Sequence, residues 1–296
     1  MHSVYGQYLL ALYWLEREWV ESNINQIFPE GDNEETIWFF AVAWDSFVAF
    51  NPYPVDMIKL LHPRYRRAIH NLSRGYATRV LFGSARYLAS HLVWEYLLSG
   101  YDLRTPAGQD SLIASYFQQT RPEARGSAAW ACWRACAEHP SEFGEYWPKV
   151  RALWEWRVQE ASAANHSTDF DDEMRHFAQL LLVVPKTETI ATLWPLMEAL
   201  LAHISRYERH DLGWEAIEKY LSQEVERDPV RVIQFYGLMH KQMASPSWFY
   251  RNDRARKIFE AAAAHKDSRS DALALIDLLA RKGDHQYRDI YEHYAV

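Results

Sequence analysis

Three observations predict an all-α fold for this chain. Apolar residues recur at three- and four-residue spacing from end to end, prolines and glycines punctuate that pattern, and hairpin chemistry is missing. Only 11 glycines occur in 296 residues, and Asn-Gly and Asp-Gly are absent, so the tight turns of a sheet protein have no residues to make them. Helix, tight break, helix is the recurring unit, spaced roughly every 35 to 50 residues, which predicts an α-solenoid or helical array of tetratricopeptide-like or HEAT-like pairs.

Residues 36–72 show the unit most clearly. Ile37, Phe40, Ala41, Trp44, Phe47 and Val48 form one stripe, and Trp38, Phe39, Val42 and Phe50 fall off it, so the helix is expected to be wrapped on most sides. Asn51-Pro52-Tyr53-Pro54 cannot continue a helix, because proline removes a backbone donor and crowds the preceding turn. A second helix starts with Val55, Ile58, Leu60 and Leu61, is interrupted at His62-Pro63, and stops at Gly75. Upstream, residues 3–20 read as one helix with Tyr5, Tyr8, Leu9, Leu12, Leu15, Trp19 and Val20 on its apolar face. A chain that opens at once on such a helix is either a piece of a longer protein or the packed end of an array. The loop Pro29-Glu30-Gly31-Asp32-Asn33 follows, with Glu34 and Glu35 where a helix N-terminus favours negative charge.

Further along, residues 84–99 carry Leu88, Leu92 and Tyr96, and Thr105-Pro106 has the cap-then-proline form that introduces a helix with Leu112, Ile113, Tyr116 and Phe117. An alanine-rich helix over 123–138 is expected to pack closely. Residues 147–161 present Trp147, Val150, Leu153, Trp154 and Val158, and a polar run over 162–172 separates them from Met174, Phe177, Leu180, Leu181 and Val184, closed by Pro185. The cleanest stripe is Ile190, Leu193, Met197, Leu200, Leu201 and Ile204, followed by Trp214, Ile217, Tyr220 and Leu221. Asp228-Pro229 opens another helix, and three more carry Ala255, Ile258, Phe259 and Ala262, then Ala272, Leu275, Ile276 and Leu279, then Tyr287, Ile290 and Tyr291.

Composition narrows the function. With 49% hydrophobic and 24% charged residues and no Ser/Gly-rich or Pro-rich linker, the chain reads as one folded helical-repeat domain over 1–296. A formal net charge of −7 argues against nucleic acid and anionic membranes as general partners. The longest wholly apolar run, residues 37–44, falls far short of the roughly 20 residues a membrane span needs. Cys132 and Cys136 are four apart on one helix, unsuited to a disulfide, which fits a reducing cytoplasm.

Thirteen histidines prompt a search for metal or catalytic sites, yet His-Glu-x-x-His, Gly-x-Ser-x-Gly, the phosphate-cradling Gly-x4-Gly-Lys-Ser/Thr loop and Gly-x-Gly-x-x-Gly are all absent. The pair Asp172 and His176, near Asp169 and His166, reads as a solvated helix start, and Cys132, Cys136 and His139 lack a fourth ligand. No cofactor, metal or catalytic residue is therefore expected. Two stretches suit a protein partner. Arg64, Arg66, Arg67, His70, Arg74 and Arg79 form a basic run interleaved with Tyr65 and Tyr76, and Trp248, Phe249, Tyr250 and Arg251 place three consecutive aromatics beside an arginine. An interaction module is the leading expectation; an enzyme with scattered His, Asp and Glu, or a structural scaffold, are the alternatives.

Both ends of the chain resemble a known group. The helix over 272–280, the turn Lys282-Gly283 and Tyr287-Arg288-Asp289-Ile290, together with Tyr5-Gly6-Gln7-Tyr8, Ile27-Phe28-Pro29, Trp44-Asp45-Ser46-Phe47 and Phe50-Asn51-Pro52, are similar to the C-terminal helical regions of bacterial antiphage STAND ATPases and related sirtuin-linked defence proteins. In that group the ATPase and effector lie N-terminal to the array, and the array senses a phage protein. The resemblance implies a sensor portion without its ATPase, and it carries no catalytic residue across.

Overall fold

The computed structural model describes residues 1–75, 84–98, 103, 111–204, 212–242 and 253–295. Every regular element among the described residues is helical, with no strand. The chain divides into two compact units, Met1–His139 with Pro148–Leu153, and Pro140–Trp147 with Trp154–Val296.

In the first unit the helices are α1 (His2–Gln7), α2 (Leu9–Leu15), α3 (Arg17–Ile27), α4 (Glu34–Phe50), α5 (Ile58–Ser73), α6 (Ser84–Leu98), α7 (Leu112–Gln119) and α8 (Pro122–Glu138). Helix α4 starts where Asn33 accepts a hydrogen bond from the Thr36 N–H at 2.8 Å, with Glu34 and Glu35 in its first turn. It buries Phe40, Trp44, Phe47 and Val48 as the pattern requires, and residues 43–48 are all buried, so the middle of the helix is enclosed on every side while Trp38 and Phe50 toward its ends stay exposed. The aromatic cluster of Phe28, Phe40, Trp44, Phe47 and Tyr65 is its core, Trp44 meeting Tyr65 edge-on with ring centroids 4.8 Å apart.

The first helix expected from the sequence is three helices, broken at Tyr8 and Glu16, and its buried face differs accordingly. Gly6, Leu9, Leu10, Tyr13 and Val20 are inside, whereas Tyr8, Leu15 and Trp19 are exposed. Asn51 is the physical cause of the first break. Its amide nitrogen donates to the carbonyls of Gly6 (3.1 Å), Gln7 (3.2 Å) and Phe47 (2.9 Å), and its oxygen accepts from the Leu10 N–H (3.4 Å), so groups that a break would orphan are satisfied from α4. Gly6 lets α1 lie directly on the α4 backbone, and Ser3 and Ser46 meet hydroxyl to hydroxyl at 2.8 Å beside it. Helix α5 is also corrected: it runs unbroken through Pro63, which faces outward near its start.

A buried polar chain continues from Asn51. The His91 Nε2–H donates to the Asn51 carbonyl at 2.9 Å, and the Tyr65 hydroxyl donates to His91 Nδ1 at 2.7 Å, which satisfies the neutral ring on both sides. Burial lowers the His91 pKa to about 4, with the Asn51 hydrogen bond only partly opposing. The unfolded chain therefore takes up this proton near its ordinary value, while the folded chain resists until much lower pH. Stability carried by His91 is full above pH 6.5 and falls as pH drops toward 4, by roughly 2 to 3 kcal/mol. Urea unfolding at pH 7.5 and 4.5 should show a loss that the His91→Gln variant lacks to that extent; equal pH slopes would refute it.

Helix α6 buries Leu88, Leu92 and Tyr96 against α8, whose Ala128 and Ala129 are fully enclosed. Lys149 caps α6, donating to the carbonyls of Tyr96 (2.8 Å) and Leu97 (3.0 Å). Helix α7 begins at Leu112 behind the Ser111 cap; the Thr105-Pro106 start lies outside the described residues.

Helix α9 (Phe143–Ala163) gives Pro148–Leu153 to the first unit and its remainder to the second. The second unit continues with α10 (Asp171–Ala178), α11 (Ile190–Ile204), α12 (Leu212–Glu224), α13 (Pro229–Gln242), α14 (Asp253–Ala264), α15 (Arg269–Arg281) and α16 (Arg288–Tyr294). The stripe of α11 is buried as expected, and Asp228 caps α13 by accepting from the Arg231 N–H at 3.1 Å. Contacts here alternate: α10 packs on α12, α12 on α14 and α14 on α16, while α11 packs on α13 and α13 on α15. At the last turn Gly283, with φ +94°, takes the left-handed conformation that reverses the chain after α15, and Arg256 ties α14 to α16 through Asp289 at 2.8 and 3.1 Å. Among the described residues no helix is long and apolar enough to cross a membrane.

Candidate functional site

The basic run falls on α5, facing the loop between α3 and α4. Arg64 donates to Leu60 O at 3.2 Å and to Asn25 Oδ1, and it pairs with Glu30 at 3.4 Å. Arg67 donates to Pro29 O at 2.8 Å and to Gly31 O, with its guanidinium 4.7 Å from the centre of the Phe40 ring. Burial lowers the Arg67 pKa, and the Asp32 and Glu30 carboxylates partly restore it. A cleft of about 240 Å³ sits between these elements, with Phe28, Phe40 and Pro63 as its apolar wall and Asp32, His70 and Asn71 around its polar side. Arg67 thus fixes the loop by satisfying two of its carbonyls, and Arg64 ties α5 to the Asn25 side chain of α3 and to the Glu30 carboxylate of the loop. Arg66 points out to solvent and makes no side-chain hydrogen bond among the described residues, which leaves it the member of the three best placed for a partner. Trp248, Phe249, Tyr250 and Arg251, with Tyr76 and Arg79, lie outside the described residues.

A second polar cluster is built into the other unit where α9, α10 and α11 meet. Arg157 of α9 and Glu173 of α10 form a two-pronged pair at 2.6 and 3.2 Å, both side chains almost wholly buried. Phe170 and Trp156 lie against the Arg157 guanidinium at 5.2 and 4.9 Å. Beside this pair, the His203 Nδ1–H of α11 donates to Asp171 Oδ1 at 2.7 Å, and His203 Nε2 faces His166 Nδ1 at 3.3 Å. Asp171 and His203 are buried and His166 is half-buried.

Local sequence explains this placement. The connection after α9 holds Asn165 and His166 at φ 51° and 53°, a left-handed conformation that non-glycine residues adopt at an energetic cost. The His166 N–H reaches back to Ala161 O at 2.9 Å to close the helix end. The Ser167 hydroxyl then accepts from the Asp169 N–H, so α10 begins with Asp171 pointing inward. Asp172 and His176, the pair seen in the sequence, are an ordinary helix start: His176 Nδ1 donates to the Asp172 carbonyl at 2.7 Å, and Arg175 pairs with the Asp172 carboxylate at 3.2 Å.

The partners Asp171 and His203 escaped sequence reading because they are 32 residues apart. The signal was His203 itself, a polar residue set among Leu200, Leu201 and Ile204 on the most apolar stripe. Chemically, a carboxylate fixes the proton on one nitrogen of His203 and turns the other nitrogen toward a second imidazole, where a catalytic triad would place a hydroxyl or thiol. Among the described residues no group of three or more His, Cys, Asp or Glu side chains is placed to hold a metal ion. Cys132 and Cys136 are buried and form no disulfide, and burial pushes the Cys136 thiol up to about 12, which keeps it unreactive. In comparison with family models, curated proteins and solved structures, the chain finds no match.

Proposed function

We propose that this chain is a helical-array interaction module that recognises a folded protein, and that it serves as the sensor portion of an antiphage defence protein of the STAND type. The observation that carries the array reading is the alternating contact pattern, in which next-but-one helices pack in two rows, α10, α12, α14 and α16 against α11, α13 and α15. Short-range stacking of this kind is how α-solenoids build a wide preformed surface at little ordering cost. Exposed apolar side chains of the first unit, with Trp14 and Leu15 70% and 81% accessible, supply anchor chemistry for a protein partner. The defence assignment rests on the resemblance of the two ends, whose motif residues (Gly6, Phe28, Trp44, Asn51, Asp289) serve packing and capping here.

The test is binding of the purified chain to phage proteins produced singly. One of them should bind saturably. Trp248→Ala or Tyr250→Ala should then weaken it by about 2 kcal/mol, and Arg66→Ala should chiefly slow association and change its salt dependence. Arg64 and Arg67 are poor test positions, since they hold a loop. If a binder is found and none of these substitutions alters its affinity or rate in a normally folded chain, the proposed surface is wrong; if none binds, the phage-sensor reading fails.

A further inference from the structure

We propose that the cleft between α5 and the loop joining α3 to α4 binds a free α-amino acid with an apolar side chain, its carboxylate on Arg67 and Asn71 and its ammonium on Asp32. Helical spacing builds one wall. Arg67 and Asn71 are four residues apart on α5, which sets both side chains on the same face, and Phe28, Phe40 and Pro63 add an apolar surface beside them. Asn71 carries the strongest signal. It is only 8% exposed, it lines the cleft, and its amide makes no hydrogen bond among the described residues. Leaving a buried amide unpaired costs the fold stability, and a ligand carboxylate that accepts from its N–H groups relieves that cost.

Charge then singles out the ligand class. Arg64 and Glu30 pair at 3.4 Å and offset each other. Arg67 and Asp32 have no such partner. The Arg67 guanidinium donates to the Pro29 and Gly31 carbonyls and meets no carboxylate in salt-bridge contact among the described residues, so three of its five N–H groups remain. Asp32, on the loop side, stands close enough to favour the Arg67 charge, yet it forms no ion pair among the described residues. One cleft thus holds an unmatched positive group and an unmatched negative group beside an apolar wall. A zwitterion satisfies both, whereas a simple anion is opposed by Asp32 and a simple cation by Arg67. The volume, about 240 Å³, falls below the roughly 300 to 1,000 Å³ of sites for drug-sized ligands, which limits the occupant to a small molecule. Because Arg67 also holds the loop by its carbonyls, Asp32 is positioned before a ligand arrives. The site is independent of the protein-binding proposal, since Arg66 points out to solvent and does not line the cleft.

The experiment is calorimetric titration of the full chain with L-leucine and with L-phenylalanine, and with two analogues of leucine that keep a single charge, 3-methylbutylamine and 4-methylpentanoate. Asn71→Leu and Asp32→Asn are the variants and Arg66→Ala is the control, with thermal unfolding recorded for each. Since the Asn71 amide has no hydrogen bond to lose, Asn71→Leu should keep or raise the unfolding midpoint while removing a donor to the carboxylate. Saturable binding of one amino acid per chain, about tenfold or more tighter than either analogue, weakened about tenfold or more in both variants and unchanged in Arg66→Ala, would support the site. In Asp32→Asn, 4-methylpentanoate should bind no worse than to the parent chain, because the opposing carboxylate is gone. No saturable binding of either amino acid, an analogue that binds as tightly as leucine, or binding that survives Asn71→Leu or Asp32→Asn would overturn it. So would a lowered midpoint in Asn71→Leu, which would give the amide a purely structural role, or an equal loss in Arg66→Ala, which would mark unspecific association with the basic face.

Discussion

Gly6→Ala should destabilise the N-terminal helices by more than about 3 kcal/mol, although alanine is the better helix former. A Cβ at residue 6 would sit 2.0 Å from the Ala43 carbonyl oxygen and 2.8 Å from its carbonyl carbon, both backbone atoms in the middle of α4. Neither can swing aside as a side chain does, so α1 must lift from α4. Lifting breaks the Ser3–Ser46 contact and the Asn51 bonds to Gly6 and Gln7, and it exposes apolar surface now covered by the first two helices. Intrinsic propensity would favour alanine by about 1 kcal/mol, so the two effects oppose and the sign of the result decides between them. Urea unfolding followed by near-ultraviolet dichroism measures it. An unchanged or raised midpoint would show that the helices do not approach this closely.

The second large effect is expected at Glu173. Glu173→Gln leaves Arg157 charged and buried without its carboxylate, which should lower stability by about 3 to 5 kcal/mol. The double replacement Arg157→Met with Glu173→Leu removes both charges and should recover much of that loss, because burying the pair is itself costly. A single variant that unfolds like the parent chain would mean water reaches the Arg157 guanidinium. A double variant worse than the single would mean the pair is favourable in itself.

Where pattern is local, the fold was legible. The stripes of α4, α6, α11 and α12 and the Asp228 cap each depend on residues within one or two turns, and each is found where spacing puts it. Failures occur where a distant group overrides local preference. Residues 3–20 look like one helix, but Asn51, more than 40 positions away, offers the hydrogen bonds that let the chain break at Tyr8. Pro63 looks like a helix end, but it lies on an exposed side where α5 tolerates it. No local pattern in the basic run discloses that Arg67 turns to carbonyl acceptors 36 and 38 residues upstream. The Asp171–His203–His166 chain was hidden for the same reason, joining three segments that share no sequence motif.

Native-state hydrogen exchange across the second unit at low denaturant tests the array most directly. In a stack whose helices touch only their near neighbours, stability is a sum of local terms, and the ends open before the middle. Amides of α15 and α16 should then exchange through partial openings of lower free energy and smaller denaturant dependence than those of α11 and α12. A single free energy and a single denaturant slope shared by all of these helices would contradict the array and describe one undivided cooperative core.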